Sequence, residues 1–349
     1  MSQDHAATAP RVRQAVGRAT GRDASELPVK RLAGHASMRS YWRVGLPPAS
    51  QVVMVMPPGA GPEEVTKGAR PDVDPFVDVQ RYLASIGVRV PAILDFQEAE
   101  GLMVLEDLGD DMLETRLRAG DDRAGLYERA VDQLARLRAA AEARPTGCLA
   151  FGRAFDEDLY RWELHHFREW LLEAWRGARL SPAERVELDG WFDRISASLA
   201  AEPRGFTHRD YQSRNLMVLP GGEQAVIDFQ DALLGPRQYD LVALLRDSYV
   251  ELPPALVEAM LRRYLARLAE AGGPALEYEP FRRTFDLLTV QRKLKDAGRF
   301  VFIDRVRKNP GFLVSIPSSL RYVRAAFARR PDLAPLQALL ARHVPELAP

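Results

Sequence analysis

The chain has 349 residues, 46% apolar and 28% charged, a composition that suits a folded protein of more than one core and excludes a disordered or low-complexity one. Its 48 basic residues balance 48 acidic ones, so no net positive field exists to neutralise nucleic-acid phosphates, and no nucleic-acid partner is expected. The single cysteine, Cys148, excludes an internal disulfide and fits a reducing compartment.

At the N-terminus, "MSQDHAATAP" shows no basic segment followed by an apolar stretch. No apolar run reaches the roughly 18 to 20 residues that span a bilayer, so no membrane partner and a cytoplasmic location are expected. A polar lead enters a short helix, "PRVRQAVGRATG". "VKRLAGHASMRSYWRVGL" and "SQVVMVMPP" then predict strands. The apolar run from Val52 to Met56 stops at Pro57 and Pro58, as a buried strand does. "GAGPEEVTKGARPDVD" predicts an exposed loop. Asp74 is placed to cap a helix that has Pro75 in its first turn and ends at Gly87. "PAILDFQEAEGLMVLEDLG" predicts two strands with a turn from Glu98 to Gly101. Beyond Gly109 long helical patterns dominate: "LYERAVDQLARLRAAAEA", "DEDLYRWELHHFREWLLEAWRG" and "SPAERVELDGWFDRISASLAA". Strands return around Phe206 to Asp228, and helices continue from about Tyr239. The expectation is an α+β, bilobal protein-kinase-like fold, with a small β-rich N-lobe over residues 1–108 and a larger helical C-lobe over 109–349.

The stretch "FTHRDYQSRNLMV" crowds a His, two Arg, an Asp and an Asn between apolar residues. Asp210 and Asn215, with four residues between them, have the H-x-D-x-x-x-x-N spacing of a kinase catalytic loop. A hydroxyl that attacks a γ-phosphoryl group must give up its proton, and the Asp210 carboxylate can accept it. Mg²⁺ prefers oxygen ligands, which the Asn215 amide and the Asp228 carboxylate supply. The turn "PGG" makes "NLMVL" and "AVID" a hairpin that draws the two ligands together. The alternative makes Asp210 and Asp228 a turn residue and a strand cap. His208 and Asp240 are read as structural support, with Asp240 at a helix start accepting backbone N–H groups from the loop. Gln230 stands where the kinase motif has Gly. Asp228 and Asp240 are only twelve positions apart, which leaves no room for a peptide-holding activation segment. The acceptor is therefore expected to be a small molecule.

ATP is the expected donor. In "LAGHASMRSYWRV", the small residues Ala33, Gly34, Ala36 and Ser37 allow backbone N–H groups to approach phosphate oxygens; a plain hairpin turn is the alternative. The backbone from Glu106 to Leu108, at the link between lobes, can pair with an adenine edge. Met54 and Met56 occupy the strand where a kinase carries its phosphate-binding Lys. Arg39 or Arg43 is the candidate substitute, ahead of Lys30 and Lys67. A pseudokinase would lack that Lys too, but Asp210, Asn215 and Asp228 speak against one. His165 and His166 share a helix with Trp162, Phe167 and Trp170, and are read as a partly buried face or a wall of the acceptor pocket.

These strings resemble the aminoglycoside phosphotransferase-like kinases. Through "GHASMRSYWRV", "VLEDLGDDML", "DFQDALLGPRQYDLVALLRD" and "FDLLTVQRKLKDAGRF" the chain is most similar to the anomeric kinases of cell-wall recycling, which phosphorylate N-acetylmuramate and N-acetylglucosamine at C1. The resemblance covers residues 31 to 323. It implies Asp210 as catalytic base, Asn215 and Asp228 as Mg²⁺ ligands, Glu106 to Leu108 as the adenine contact, and a sugar acceptor. His35 and Met38 depart from the family pattern, which expects an acidic residue and Phe there. Antibiotics, choline and other sugars remain alternative acceptors, and the oligomeric state is open.

Overall fold

In a computed structural model, residues 3–32, 39–56 and 73–349 are described. In chain order the elements are helix α1 (Gln3–Thr20), strands β1 (Val29–Arg31), β2 (Ser40–Val44) and β3 (Gln51–Val55), helix α2 (Pro75–Ser85), and strands β4 (Ile93–Gln97) and β5 (Leu102–Glu106). Helices α3 (Leu113–Arg118), α4 (Arg123–Ala143), α5 (Glu157–Phe167) and α6 (Pro182–Ala200) follow. Strands β6 (Arg204–Thr207), β7 (Leu216–Val218), β8 (Gln224–Val226) and β9 (Leu233–Pro236) come next. Helices α7 (Tyr239–Leu245), α8 (Pro254–Glu270), α9 (Tyr278–Arg307), α10 (Ile316–Arg329) and α11 (Ala334–Ala341) come last.

The chain forms two compact units, residues 1–112 with 216–231, and residues 113–215 with 232–349. It enters the first unit twice, which the single boundary read after residue 108 does not anticipate. The reason lies in the β7–β8 hairpin. The Val218 amide donates to the Asp111 carbonyl at 2.7 Å, and the Val226 amide to the Arg89 carbonyl at 2.8 Å. The Phe229 ring packs 4.7 Å from that of Phe76.

The first unit is built on a five-stranded antiparallel sheet in the order β1-β2-β3-β5-β4. Side chains alternate between its faces. Trp42, Val44, Val53 and Val104 pack against Val12, Ala15 and Val16 of α1. Tyr41, opposite Met54 in the β2–β3 register, belongs to the other face. Helix α1 is longer than the short helix read from "PRVRQAVGRATG" and carries Pro10 inside it. Burial of its apolar stripe outweighs the hydrogen bond that Pro10 cannot donate. Helix α2 begins as the sequence suggests. Asp74 Oδ1 accepts the amides of Phe76 at 2.8 Å and Val77 at 3.3 Å.

The second unit is mostly helical, with β6 and β9 paired so that Thr207 lies opposite Leu233. Helix α5 does not run on as an α-helix through residue 177. It changes to π-helix over Arg168–Trp175. The change falls beside a close approach of α9: a Cβ on Gly298 would sit 2.7 Å from the Phe167 Cα and 3.0 Å from the His166 carbonyl. Only a glycine lets the two backbones come this near.

Candidate active site

Within the second unit, residues 208–215 form a loop held from several sides. Asp240, in the first turn of α7, accepts the backbone amides of His208 at 2.8 Å and Arg209 at 2.9 Å. Burial raises the Asp240 carboxyl, against the opposing pull of His208 and the two amides. His208 Nδ1 in turn accepts the Asp210 amide at 3.2 Å. Tyr211 donates its hydroxyl to the Ala130 carbonyl on α4 at 2.9 Å. The Ser213 amide reaches Asp247 at 2.9 Å, and Arg214 forks onto Glu114 at 2.8 and 3.1 Å. Asn215 Nδ2 donates to the Asp210 carbonyl at 2.8 Å, closing the loop on itself. Arg209 adopts φ of +79°, a strained conformation that these partners over-determine.

The sequence reading missed Arg292 of α9. Its guanidinium donates through Nη2 to Asp210 Oδ1 at 2.9 Å and through Nη1 to the Arg209 carbonyl at 2.8 Å. The Arg292 side chain is 2% exposed, whereas that of Asp210 is 37% exposed. Burial pushes the Asp210 carboxyl up, but Arg292, Lys295 and Arg209 outweigh it and hold the group at about 2. The available signal was "VQRKLKDAG", four charges inside an otherwise buried helix. Glu163 of α5, fully buried, lies 3.6 Å from Arg209 and accepts Gln291 Nε2 at 2.7 Å. His166 packs among the rings of Trp162, Trp170 and Phe302, at centroid distances of 5.3, 6.0 and 5.3 Å, as part of a buried helix face.

Within the first unit, Asp228 follows β8 and takes φ of +64°. Gln230 Nε2 donates to its Oδ1 at 2.9 Å, so the side chain that replaces the motif glycine orients the carboxylate. Tyr41 is half-buried near both Asp228 and Arg39. Burial first, then the Asp228 charge, pushes its hydroxyl up to about 12, against the lowering effect of Arg39. Arg39 thus shares a neighbourhood with Asp228.

Arg43 does not fit the phosphate role given to it as an alternative to Arg39. Its guanidinium holds Asp107 at 2.6 and 2.9 Å, Asp110 at 2.7 Å and the Gly109 carbonyl at 3.2 Å. Ser50 adds a 2.6 Å hydrogen bond to Asp107. Arg43 is therefore a brace for the segment that follows β5, its charge already matched. The Glu106 side chain is likewise engaged: it accepts Arg89 at 2.8 Å and the Ala92 amide at 3.1 Å, and the Arg89 bond holds its carboxyl below the usual range. The Glu106 amide donates to the Ala92 carbonyl at 2.9 Å. Leu108 is half-buried and Lys30 exposed. Gly34, Ser37 and Lys67 lie outside the described residues.

The donor types suit Mg²⁺. Asn215 commits its nitrogen end to the loop, so its oxygen is the acceptor end, and Asp228 supplies a carboxylate. Both are hard oxygen donors of the kind Mg²⁺ takes beside substrate phosphates.

A loop that sets a carboxylate and an amide in braced positions has the layout that a phosphotransferase uses. The chain belongs to the phosphotransferase enzyme family, whose pattern its residues 28–303 match. It is 38% identical over 307 residues to the N-acetylmuramate/N-acetylglucosamine kinase of Pseudomonas aeruginosa, covering 88% of this chain and 86% of that one. The kinase of the same name from Neisseria meningitidis is 32% identical over 309 residues, covering 88% of each chain. Among solved structures, the choline kinase LicA of Streptococcus pneumoniae superposes with a TM-score of 0.61 at 13% identity, over 91% of this chain and 99% of that one. The GDP complex of aminoglycoside 2'-phosphotransferase-IIIa gives 0.59 at 14% identity, over 92% and 98%. These two likenesses establish the kinase-like fold.

Proposed function

We propose that the protein transfers the γ-phosphoryl group of ATP to the anomeric hydroxyl of N-acetylmuramate or N-acetylglucosamine, in the cytoplasm, where ATP is supplied. The observation that carries this reading is the bracing of Asp210 by Arg292 beside Asn215. The sugar class comes from the relatives' substrates.

The acceptor oxygen attacks the γ-phosphorus, the bond to the bridging oxygen breaks, ADP leaves, and the hydroxyl proton passes to Asp210. A carboxylate held at about 2 is ionised throughout the working range but is a weak base. It therefore aligns the hydroxyl and takes the proton late, as the phosphoryl group moves. An anomeric hydroxyl is more acidic than an ordinary alcohol, which suits such a base. Asn215 and Asp228 would hold Mg²⁺, which neutralises charge on the phosphates when bound. Arg39 is the proposed phosphate cation in place of the missing Lys. The backbone of Glu106 to Leu108, with Arg43 and Asp107 fixing the chain there, would receive adenine.

Product analysis tests this. With ATP and either sugar, the product must lose its reducing end. The 1-O-methyl glycoside must be inert and the 6-deoxy sugar active. A reducing product together with an inert 6-deoxy sugar would place the transfer at C6 and end the anomeric reading.

A further inference from the structure

Helix α7 has a buried carboxylate at each end. Asp240 lies in its first turn, and Asp247 follows shortly after its last residue, Leu245. Asp240 holds the His208 and Arg209 amides, where the loop of residues 208–215 begins. Asp247 works near the other end of the same loop. Its Oδ2 accepts the Ser213 amide at 2.9 Å and also the Ser213 hydroxyl, and its Oδ1 accepts the Tyr249 amide at 2.9 Å. Asp247 and Ser213 are both fully buried. A buried carboxylate is tolerated only while its donors stay in place, so this tie resists any shift of Ser213.

The hold continues into the next residue. The Arg214 guanidinium lies 3.5 Å from the centre of the Tyr249 ring while it forks onto Glu114. The Glu114 amide donates to the Ser213 carbonyl at 3.1 Å. Ser213 and Arg214 are therefore gripped from one side by residues 247–249 and from the other by the first turn of α3. Asn215 comes directly after them. Its amide donates to the Gln212 carbonyl at 2.8 Å, and its side-chain nitrogen to the Asp210 carbonyl at 2.8 Å. With the nitrogen end committed, the direction of the oxygen end depends on where the backbone of residues 212–215 is held.

We propose that Asp247 is a positioning residue that, through Ser213, fixes Asn215 as a Mg²⁺ ligand. The proposal rests on the reading that Asn215 holds the metal. On this view α7 sets both ends of the loop: Asp240 serves the turn that carries Asp210, and Asp247 serves the metal end. The rival role is purely structural, with Asp247 tying residues 247–249 into the fold and no bearing on the metal.

The test is calorimetric titration of ATP over a series of free Mg²⁺ concentrations, beside urea melts, with full-length wild type, Asp247→Asn, Ser213→Ala, Asn215→Ala and the Asp247→Asn/Asn215→Ala double variant. The Mg²⁺ needed to half-promote ATP binding is read only from molecules that bind, so loss of folded protein cancels. Outer partners of a metal ligand are typically worth ten- to hundredfold in metal affinity, and Asp247→Asn should raise the Mg²⁺ requirement by about that factor. Ser213→Ala, which keeps the carboxylate and the amide bond, should give a smaller rise in the same direction. In the Asn215→Ala background, Asp247→Asn should add less than about twofold, because the ligand it positions is already gone. An Asp247→Asn protein that melts earlier but keeps the wild-type Mg²⁺ requirement refutes the proposal, as does a full effect in the Asn215→Ala background. If Asp247→Asn yields no folded protein, Ser213→Ala decides, and an unchanged requirement there refutes the proposal. If Asn215→Ala itself leaves the requirement unchanged, the ligand reading fails and takes this proposal with it. If Asn215→Ala raises it and neither Asp247→Asn nor Ser213→Ala does, the proposal alone falls.

Discussion

Arg292 bridges the loop of residues 208–215: one guanidinium nitrogen donates to the Asp210 carboxylate at 2.9 Å and the other to the Arg209 carbonyl at 2.8 Å. The same contact fixes where the carboxylate points and how readily it binds a proton. Because Arg209 is held at φ of +79°, the bond to its carbonyl also maintains a strained turn.

Arg292 is expected to set the acid limb of the pH profile, through its hold on Asp210. The folded Asp210 group lies at about 2, below its ordinary value of roughly 3.9. The stabilisation this gives is present above the ordinary value and lost as pH falls through 2. Arg292→Met removes the largest opposing charge and lets burial act, so the group rises. The acid limb of kcat/KM should move up to about pH 4 or higher, with Arg292→Lys in between. Superimposable profiles would show that Arg292 only supports the fold.

Asp210→Asn keeps the size and removes the proton acceptor. The expected fall in kcat is about 10²- to 10⁴-fold, with ATP affinity within about twofold of the parent. Nucleotide titration and single-turnover rates on the same preparation check both halves. A rate close to the parent's would remove Asp210 from the chemistry.

Asp228→Ala should weaken Mg²⁺-dependent ATP binding as well as the rate, because the proposed ligand oxygen is lost together with the hydrogen bond from Gln230 that orients it. Calorimetric titration of ATP over a series of Mg²⁺ concentrations measures it. Identical Mg²⁺ dependence in parent and variant would count against Asp228 as a ligand.

Arg43 and Arg39 should separate cleanly. The Arg43 and Asp107 side chains are 6% and 4% exposed, so Arg43→Met strands a buried carboxylate at a cost of about 3–5 kcal/mol. Adding Asp107→Leu should recover part of that loss in urea melts. Arg39→Gln should melt like the parent but raise the KM for ATP. A stable Arg43→Met protein with a raised KM for ATP would reverse the assignment.

Gly298→Ala places a methyl group 2.7 Å from the Phe167 Cα, against backbone that cannot swing aside. The expected destabilisation is about 1–3 kcal/mol by denaturant unfolding. A neutral effect would mean that α5 and α9 slide apart freely.

Sequence alone determined what is local. Asp74 caps α2 because its carboxylate and the amides it meets lie within three residues. The β7–β8 hairpin follows from two apolar runs around a glycine turn, and the spacing from Asp210 to Asn215 already names the chemistry. The tertiary structure decided which distant charges meet. Arg292 and Asp210 are 82 residues apart, and Arg43 and Asp107 are 64 apart. Periodicity marks a face as buried, but it does not say which carboxylate a buried guanidinium will find. That choice paired Arg43 with Asp107 and Asp110, and it put Arg292 against the Asp210 carboxylate. The length of α1 was settled in the same way, by the sheet face that its apolar stripe covers. Pairing of charges and covering of faces depend on the whole fold, because Coulomb attraction and burial act through space and not along the chain.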